Sequence, residues 1–187
     1  MLLTRPRHRF SVADYDQMIE KGILSENDRV ELIRGEILDK MSIGEVHAAC
    51  VKRLNVLLIG LFGSRTCLGV QDPVCLDDSE PEPDLSLLKK RDDFYAGSHP
   101  GPDDVLLIVE VADSSLDFDR GVKIPLYAEN GIAECWIVHL ADQSLEVYRN
   151  PQRGAYSNVS VLRAGEVVEL LSLPGTPISV ADVLGVK

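Results

Sequence analysis

Two acidic residues occupy places in this sequence where a structural role alone is hard to justify. Asp84 opens an apolar segment directly after Pro83, and Glu110 follows the apolar run 105–109. An ionised carboxylate on a buried strand needs a partner, because burial of an isolated charge is very costly. If the two strands are neighbours, carboxylates about 4 Å apart would repel each other by about 4 kcal/mol at an effective dielectric constant of about 20. A divalent cation between them would remove that cost.

The chemistry expected of such a pair is metal-dependent hydrolysis. Mg²⁺ in proteins is usually held by one or two carboxylates together with water, and Mn²⁺ prefers the same oxygen ligands. Lys123 lies near the start of the next predicted helix, from which its ammonium could reach back to Glu110. A purely structural alternative stays open, in which Asp84 caps a turn, Glu110 and Lys123 form an ion pair, and no catalysis follows.

Apolar periodicity predicts the elements that must position these side chains. Helices are predicted over 11–21, 47–62, 119–130 and 180–184, with Pro125 either in the first turn of the third helix or kinking it. Strands are predicted over 66–76, where Pro73 breaks the strand or places it at an edge, and over 84–88 and 105–111, with hairpins over 29–41 and 134–149. Residues 159–163 and 167–171 are expected to form a separate small sheet. The pattern predicts a mixed α/β protein with one central β-sheet flanked by helices.

Charge is distributed unevenly along the chain. The net charge is −11, and residues 72–119 contain 14 Asp and Glu against three basic residues, whereas elsewhere 16 of the 30 acids balance 16 of the 19 bases. Such an excess is typical of a solvated acidic loop or of the surroundings of a bound cation. It is not typical of a DNA-binding surface, because affinity for DNA comes largely from Lys and Arg at the phosphates.

Other classes of protein are disfavoured by the sequence. No apolar run approaches the roughly 18 residues of a membrane span, and the basic first ten residues lack the apolar region of a signal peptide. We therefore expect a cytoplasmic protein that has no membrane association. The cysteines and histidines lack the spacings of zinc sites, and no G-x-S-x-G motif supports a serine nucleophile.

Several blocks of the sequence resemble the PD-(D/E)XK nuclease superfamily. The three that contain the acids and the lysine are P-E-P-D-L-S-L-L at 81–88, L-I-V-E-V at 107–111 and D-R-G-V-K at 119–123. More narrowly, the chain looks like the bacterial putative restriction endonuclease family, which it also resembles at 29–37, 41–47 and 126–138. The likeness spans about residues 10–150. It implies a restriction endonuclease-like fold and a single domain over 1–187.

The resemblance also implies roles for individual residues. Asp84 and Glu110 match the two acidic metal ligands of the motif, and the peptide carbonyl of Val111 often completes such a coordination sphere. Glu31 matches an acidic residue that the superfamily often supplies from an early element as an auxiliary ligand. These four residues are therefore expected to surround the metal.

The lysine of the motif lies at a different position in this chain. Its usual place, two residues after Glu110, is occupied by Ala112, and in the narrower family the lysine stands on the helix, at Lys123. Weaker candidates for the site are His47, Gln71 and Asp119. The family often has Ser where this chain has Asp113, so the resemblance assigns no role to that position.

The implied function is an endonuclease that needs Mg²⁺ (or Mn²⁺) and hydrolyses DNA phosphodiester bonds. A metal polarises the scissile phosphate and lowers the pKa of the attacking water, and Lys123 would orient the water or offset charge on the phosphate. Three alternatives stay open: a nuclease fold kept as a non-catalytic binding or regulatory protein, a metal-dependent hydrolase of small nucleotides, and a structural protein with a buried ion pair. Analogy with the superfamily predicts a homodimer that binds DNA.

Overall fold

The computed structural model describes residues 7–25 and 27–186. The first six residues, which belong to the basic start of the chain, and Glu26 and Lys187 lie outside the described part. The prediction of a single domain over 1–187 therefore stays a prediction.

The described chain begins with a helix and a hairpin. The helix α1 (Val12–Glu20) starts at a capping box in which Ser11 and Asp14 bond each other's backbone N–H groups. The strands β1 (Val30–Ile33) and β2 (Glu36–Asp39) pair as the predicted hairpin. Its turn is Arg34–Gly35, with φ of 51° and 72°, as a two-residue hairpin turn requires. A Cβ at Gly35 would lie 2.7 Å from Arg9 Cβ, so the position also needs glycine for space.

Among the described residues, six strands form the central sheet, in the order β3-β4-β5-β6-β7-β8. They are β3 (Thr66–Gly69), β4 (Leu85–Lys89), β5 (Val105–Ala112), β6 (Glu134–His139), β7 (Ser144–Gln152) and β8 (Ala155–Leu162). β5 and β6 run parallel, and the other neighbours are antiparallel. The predicted mixed α/β architecture with one central sheet is confirmed.

Helices cover both faces of this sheet. On one face, α2 (Glu45–Phe62) and α5 (Val180–Leu184) pack against alternate strand residues such as Leu107 and Val109. On the other face lie α3 (Leu116–Phe118), a π-helical turn (Asp119–Lys123) and α4 (Ile124–Glu129), packed around Ile108 and Ile137. Because side chains alternate along a strand, Glu110 is on the same face as Ile108 and thus under the π turn.

The π turn decides how Pro125 fits the helix predicted over 119–130, in whose first turn or at whose kink it was expected. The helix predicted over 119–130 is divided, and Pro125 is the second residue of α4. Proline has no N–H to donate and its ring crowds the preceding turn, and a widened i→i+5 turn relieves both problems. The turn contains both Asp119 and Lys123, and each is buried.

Three parts of the predicted layout are wrong. The strand predicted over 66–76 ends at Gly69, ahead of Pro73. Residues 159–163 were expected in a separate sheet with 167–171, but Ala155–Leu162 is the last strand of the central sheet. The hairpin predicted over 134–149 also ends too early, because β7 continues to Gln152 and turns at Arg153–Gly154, both with positive φ. The small sheet instead joins β9 (Val167–Val168) to β10 (Ile178–Ser179).

Candidate active site

A pocket of about 370 Å³ lies where the start of β4 and the end of β5 meet the β1–β2 hairpin and the π turn. The sequence-predicted candidates on its wall are Glu31, His47, Gln71, Asp84, Glu110, Asp119 and Lys123, and Asp113, to which no role was assigned, also lines it. They come from separate segments, and the antiparallel pairing of β4 with β5, with Leu85 opposite Val109, brings Asp84 and Glu110 together. The hypothesis that the two strands are neighbours is confirmed.

Asp84 is held on both carboxylate oxygens. Its Oδ2 is 2.9 Å from His47 Nε2 and accepts a 2.9 Å hydrogen bond from the amide of Val111. Its Oδ1 accepts a 3.2 Å bond from Gln71 Nε2. Gln71 has a φ of 56°, a left-handed conformation that is uncommon for a residue other than glycine. Two of the weaker candidates, His47 and Gln71, therefore contact Asp84 directly.

Glu110 is almost completely buried and contacts three groups. Its Oε1 accepts a 2.6 Å hydrogen bond from the Tyr127 hydroxyl and lies 3.3 Å from Lys123 Nζ. Its Oε2 is 3.4 Å from the amide nitrogen of Asp84. Oε2 is thus the less firmly held of the two oxygens, and it faces Asp84.

Lys123 reaches two acids from the π turn. Its ammonium lies 3.3 Å from Glu31 Oε2 and 3.3 Å from Glu110 Oε1. Glu31 is also fixed from the side of the pocket, because its Oε2 accepts a 3.1 Å hydrogen bond from the Glu82 amide. The Lys123 ammonium therefore reaches back from the helical segment to Glu110 at the end of β5, with Glu31 beside it.

Burial and neighbouring charges change the acidity of these groups. Burial raises the pKa of Glu110 to about 8, against the opposing charge of Lys123, and the carboxylates of Asp119 and Asp84 add to the increase. Burial also raises the pKa of Asp119. Burial is also the largest single influence on Asp84, but the hydrogen bond and charge of His47, together with the hydrogen bonds from Val111 and Gln71, outweigh it and lower the pKa of that carboxyl. The pocket thus contains more acid than its cations neutralise.

Comparison with known proteins shows the family of this chain. The model of the Uma2 family, described as "Putative restriction endonuclease", matches residues 12–181. The chain belongs to the Uma2 family. Among curated proteins, none is significantly similar to it in sequence.

A solved structure shares the Uma2 chain's fold. It is a putative nuclease of DUF820 from Anabaena variabilis, with a TM-score of 0.71 and 15% identity over 94% of this chain and 98% of the other. At that identity the similarity concerns the fold, and the restriction endonuclease-like fold predicted from the sequence is confirmed. In the described part of the Uma2 chain, no helix is long and apolar enough to cross a membrane.

The residues present fit a hard divalent cation. Within residues 7–25 and 27–186, no three His, Cys, Asp or Glu side chains converge as a ready-made metal cluster. Mg²⁺, however, commonly takes one or two carboxylates and completes its shell with water. Asp84 Oδ1 and Glu110 Oε2 are the oxygens with the weaker contacts, at 3.2 and 3.4 Å. At Val111 the structure shows the amide, rather than the carbonyl, in contact with Asp84.

Sequence reasoning missed two hydrogen-bond donors in this Uma2 site. Tyr127 lies four residues after Lys123, so the two share one face of the helical segment and both reach Glu110. Ser115 donates a 2.6 Å hydrogen bond to Asp119 Oδ2. A spacing of four residues could have identified both donors, because Tyr127 follows Lys123 by four residues and Ser115 precedes Asp119 by four.

Proposed function

We propose that this Uma2 protein is a metal-dependent endonuclease that hydrolyses DNA phosphodiester bonds. The observation that supports the proposal is the convergence of Asp84, Glu110 and Lys123 on one wall of the pocket, with Glu31 beside the lysine. Family membership supports the nuclease class. The metal, the DNA substrate, a homodimeric state and a cytoplasmic location stay predictions from the sequence.

Asp84 and Glu110 would hold Mg²⁺ or Mn²⁺, with Glu31 as an auxiliary acid and the Val111 carbonyl as a further ligand. When bound, the metal would polarise the scissile phosphate and stabilise the leaving oxygen. In the overall reaction a water oxygen bonds to phosphorus and one P–O bond to a sugar breaks. The products are a phosphate monoester and a hydroxyl, which receives a proton that the water loses.

The side chains of the protein prepare the site for this reaction. His47, Gln71 and the Val111 amide fix the Asp84 carboxylate, and Tyr127 fixes Glu110. Lys123 would orient the attacking water or offset charge that develops on the phosphate. The lysine is held between two acids, so its ammonium stays in place before substrate arrives.

The test combines metal binding with cleavage. We expect the wild-type protein to bind Mn²⁺ in a calorimeter and to nick a supercoiled plasmid, and we expect Asp84→Asn to lose both properties. Glu134→Gln is a matched control, because Glu134 is a fully buried carboxylate that pairs with Arg149 and bonds Trp136 away from the pocket. A wild-type protein that binds neither Mg²⁺ nor Mn²⁺ and leaves varied DNA intact would contradict the proposal.

Two alternatives predict different results, one for the Asp84→Asn variant and one for a small substrate. If Asp84→Asn raises stability and no activity is lost, the fold serves as a binding or regulatory protein, as the net charge of −11 favours. The small, acidic pocket favours a hydrolase of small nucleotides. In that case a dinucleotide would be hydrolysed at least as fast as a long strand at equal concentration of phosphodiester bonds.

A further inference from the structure

The acids and the lysine of the candidate site lie deep in their pocket. The side chain of Glu110 is 4% exposed, that of Lys123 is 8% exposed and that of Asp84 is 13% exposed. The cavity volume of about 370 Å³ falls within the roughly 300–1,000 Å³ range of pockets that enclose small molecules. A phosphate that reaches Asp84 and Glu110 must therefore enter together with its own nucleotide.

An intact duplex is poorly suited to that entry. Duplex DNA is stiff, with a persistence length of about 50 nm, and its bases are stacked and paired. Moving one nucleotide out of the helix costs unstacking and unpairing free energy, and this cost is least where the strand is already unpaired. A recessed site accordingly favours flexible strands over intact helices.

The rim of the pocket has the chemistry that contacts bases. Met41 and Ile43, in the loop between β2 and α2, are 47% and 40% exposed, and both line the mouth. Leu38 and Phe118 extend this apolar wall. Unpaired bases present an apolar face on which such side chains can pack, whatever the sequence, whereas the bases of a duplex cover those faces by stacking.

The charges around the pocket also favour an unpaired strand over a duplex. Binding along a duplex requires a row of Lys and Arg at successive phosphates. Here Lys40, on the pocket wall, pairs with Glu82, and Arg120, on the π turn, pairs with Glu146. Lys40 and Arg120 are thus engaged within the protein, and the exposed Arg29, which also lines the pocket, is a single cation rather than a row. The net charge of −11 repels a duplex more than a single strand, because the duplex has the higher charge density.

We infer that this site acts on an unpaired stretch of DNA, such as a single strand, a frayed end or a bubble, in preference to an intact duplex. The inference rests on the proposed nuclease function for the reaction itself. Met41 and Ile43 then serve as the contact surface for the bases that flank the scissile phosphate.

The first experiment compares three substrates of one sequence in Mn²⁺: a labelled 30-nucleotide single strand, the same strand in a blunt duplex, and a duplex with a central five-nucleotide bubble. We expect the single strand and the bubble to be cut at least tenfold faster than the blunt duplex, with cuts confined to the unpaired region of the bubble. A duplex that is cut as fast as the single strand overturns the inference and leaves the proposed nuclease function intact.

The second experiment measures binding without cleavage, by fluorescence anisotropy of the labelled single strand and duplex in Ca²⁺. We expect the double variant Met41→Ser, Ile43→Ser to bind the single strand at least fivefold more weakly, with an unchanged melting temperature. The matched control is Val56→Ser, Val161→Ser, which removes two exposed apolar side chains outside the pocket and should bind like the wild type.

The two experiments separate the two proposals. Equal loss of affinity in the rim variant and the control variant, or equal wild-type affinity for single strand and duplex, overturns the inference. If none of the three substrates is cut but the single-strand preference and its dependence on Met41 and Ile43 hold, the proposed catalysis fails and the assignment of the binding surface stands.

Discussion

The ammonium of Lys123 lies 3.3 Å from Oε1 of Glu110, and both side chains are almost completely buried. The same ammonium is 3.3 Å from Glu31. One buried cation therefore faces two carboxylates, with Asp84 and Asp119 also close enough to affect its pKa. Because acid is in excess, substitutions of the cation and of an acid should change stability in different directions.

Lys123→Met should be strongly destabilising, because it leaves buried carboxylates without their counter-ion. A cost of about 3–5 kcal/mol is typical when one partner of a buried pair is removed. Glu110→Gln should leave the free energy of unfolding unchanged or raise it, although both variants should lose nuclease activity. Urea unfolding at pH 7 measures these changes, with the exposed lysine Lys52 changed to Met as a control. If Glu110→Gln is destabilised as much as Lys123→Met, the buried carboxylates around Lys123 are not in excess over that cation, and the prediction is wrong.

The raised pKa of Glu110 predicts a pH dependence of stability in the metal-free protein. The pKa is about 8 in the folded protein against 4.5 for an unperturbed glutamate, so folding favours the protonated form. The resulting stabilisation is complete below pH 4.5 and is lost as the pH rises to 8, at up to about 1.4 kcal/mol per pH unit.

Unfolding free energies of the wild type and Glu110→Gln, measured from pH 5 to pH 8.5, isolate this contribution. The difference, wild type minus variant, should fall as the pH rises, because glutamine does not titrate. Mn²⁺ affinity of the wild type should increase over the same range, since a carboxylate must lose its proton before it binds a metal. If the free energies of unfolding of the two proteins change in parallel with pH, the pKa of Glu110 is not raised by folding, and the prediction is wrong.

Tyr127→Phe should lower activity more than stability alone explains. The substitution removes the 2.6 Å hydrogen bond to Glu110, which a pKa of about 8 leaves mostly protonated at pH 7, and a bond between uncharged groups contributes about 0.5–1.5 kcal/mol. Tyr156→Phe is the matched control, because its buried hydroxyl bonds the Ile132 carbonyl away from the pocket. We expect similar shifts in urea midpoint for both variants and a loss of at least tenfold in cleavage rate for Tyr127→Phe alone. Equal rates would limit Tyr127 to a structural role.

His47→Ala should weaken metal binding without unfolding the protein. His47 Nε2 is 2.9 Å from Asp84 Oδ2, and loss of a group that orients a metal ligand typically lowers affinity about 10–100-fold. Calorimetry with Mn²⁺ measures the change. The exposed histidine His99 gives the control, since His99→Ala should bind metal as the wild type does. An unchanged Mn²⁺ affinity in His47→Ala would separate His47 from the metal site.

Local pattern was enough to predict most of the elements that carry the site. The apolar run 105–109 predicts β5, and Arg34–Gly35 predicts the turn of the first hairpin, because each depends on side-chain periodicity or on positive φ over a few residues. The strand containing residues 159–163 was placed in the wrong sheet, because its pairing with β7, such as Tyr148 opposite Val159, depends on a register that local pattern does not specify.

The sequence by itself determined the identities of the acids and the lysine, their order along the chain and the burial expected of Glu110. Only the tertiary structure decided their partners. The pairing of Leu85 with Val109 sets Asp84 beside Glu110, and the π turn before Pro125 directs Lys123 between Glu31 and Glu110. These relationships depend on strand register and helix placement between residues far apart in sequence, and local propensity does not specify such contacts.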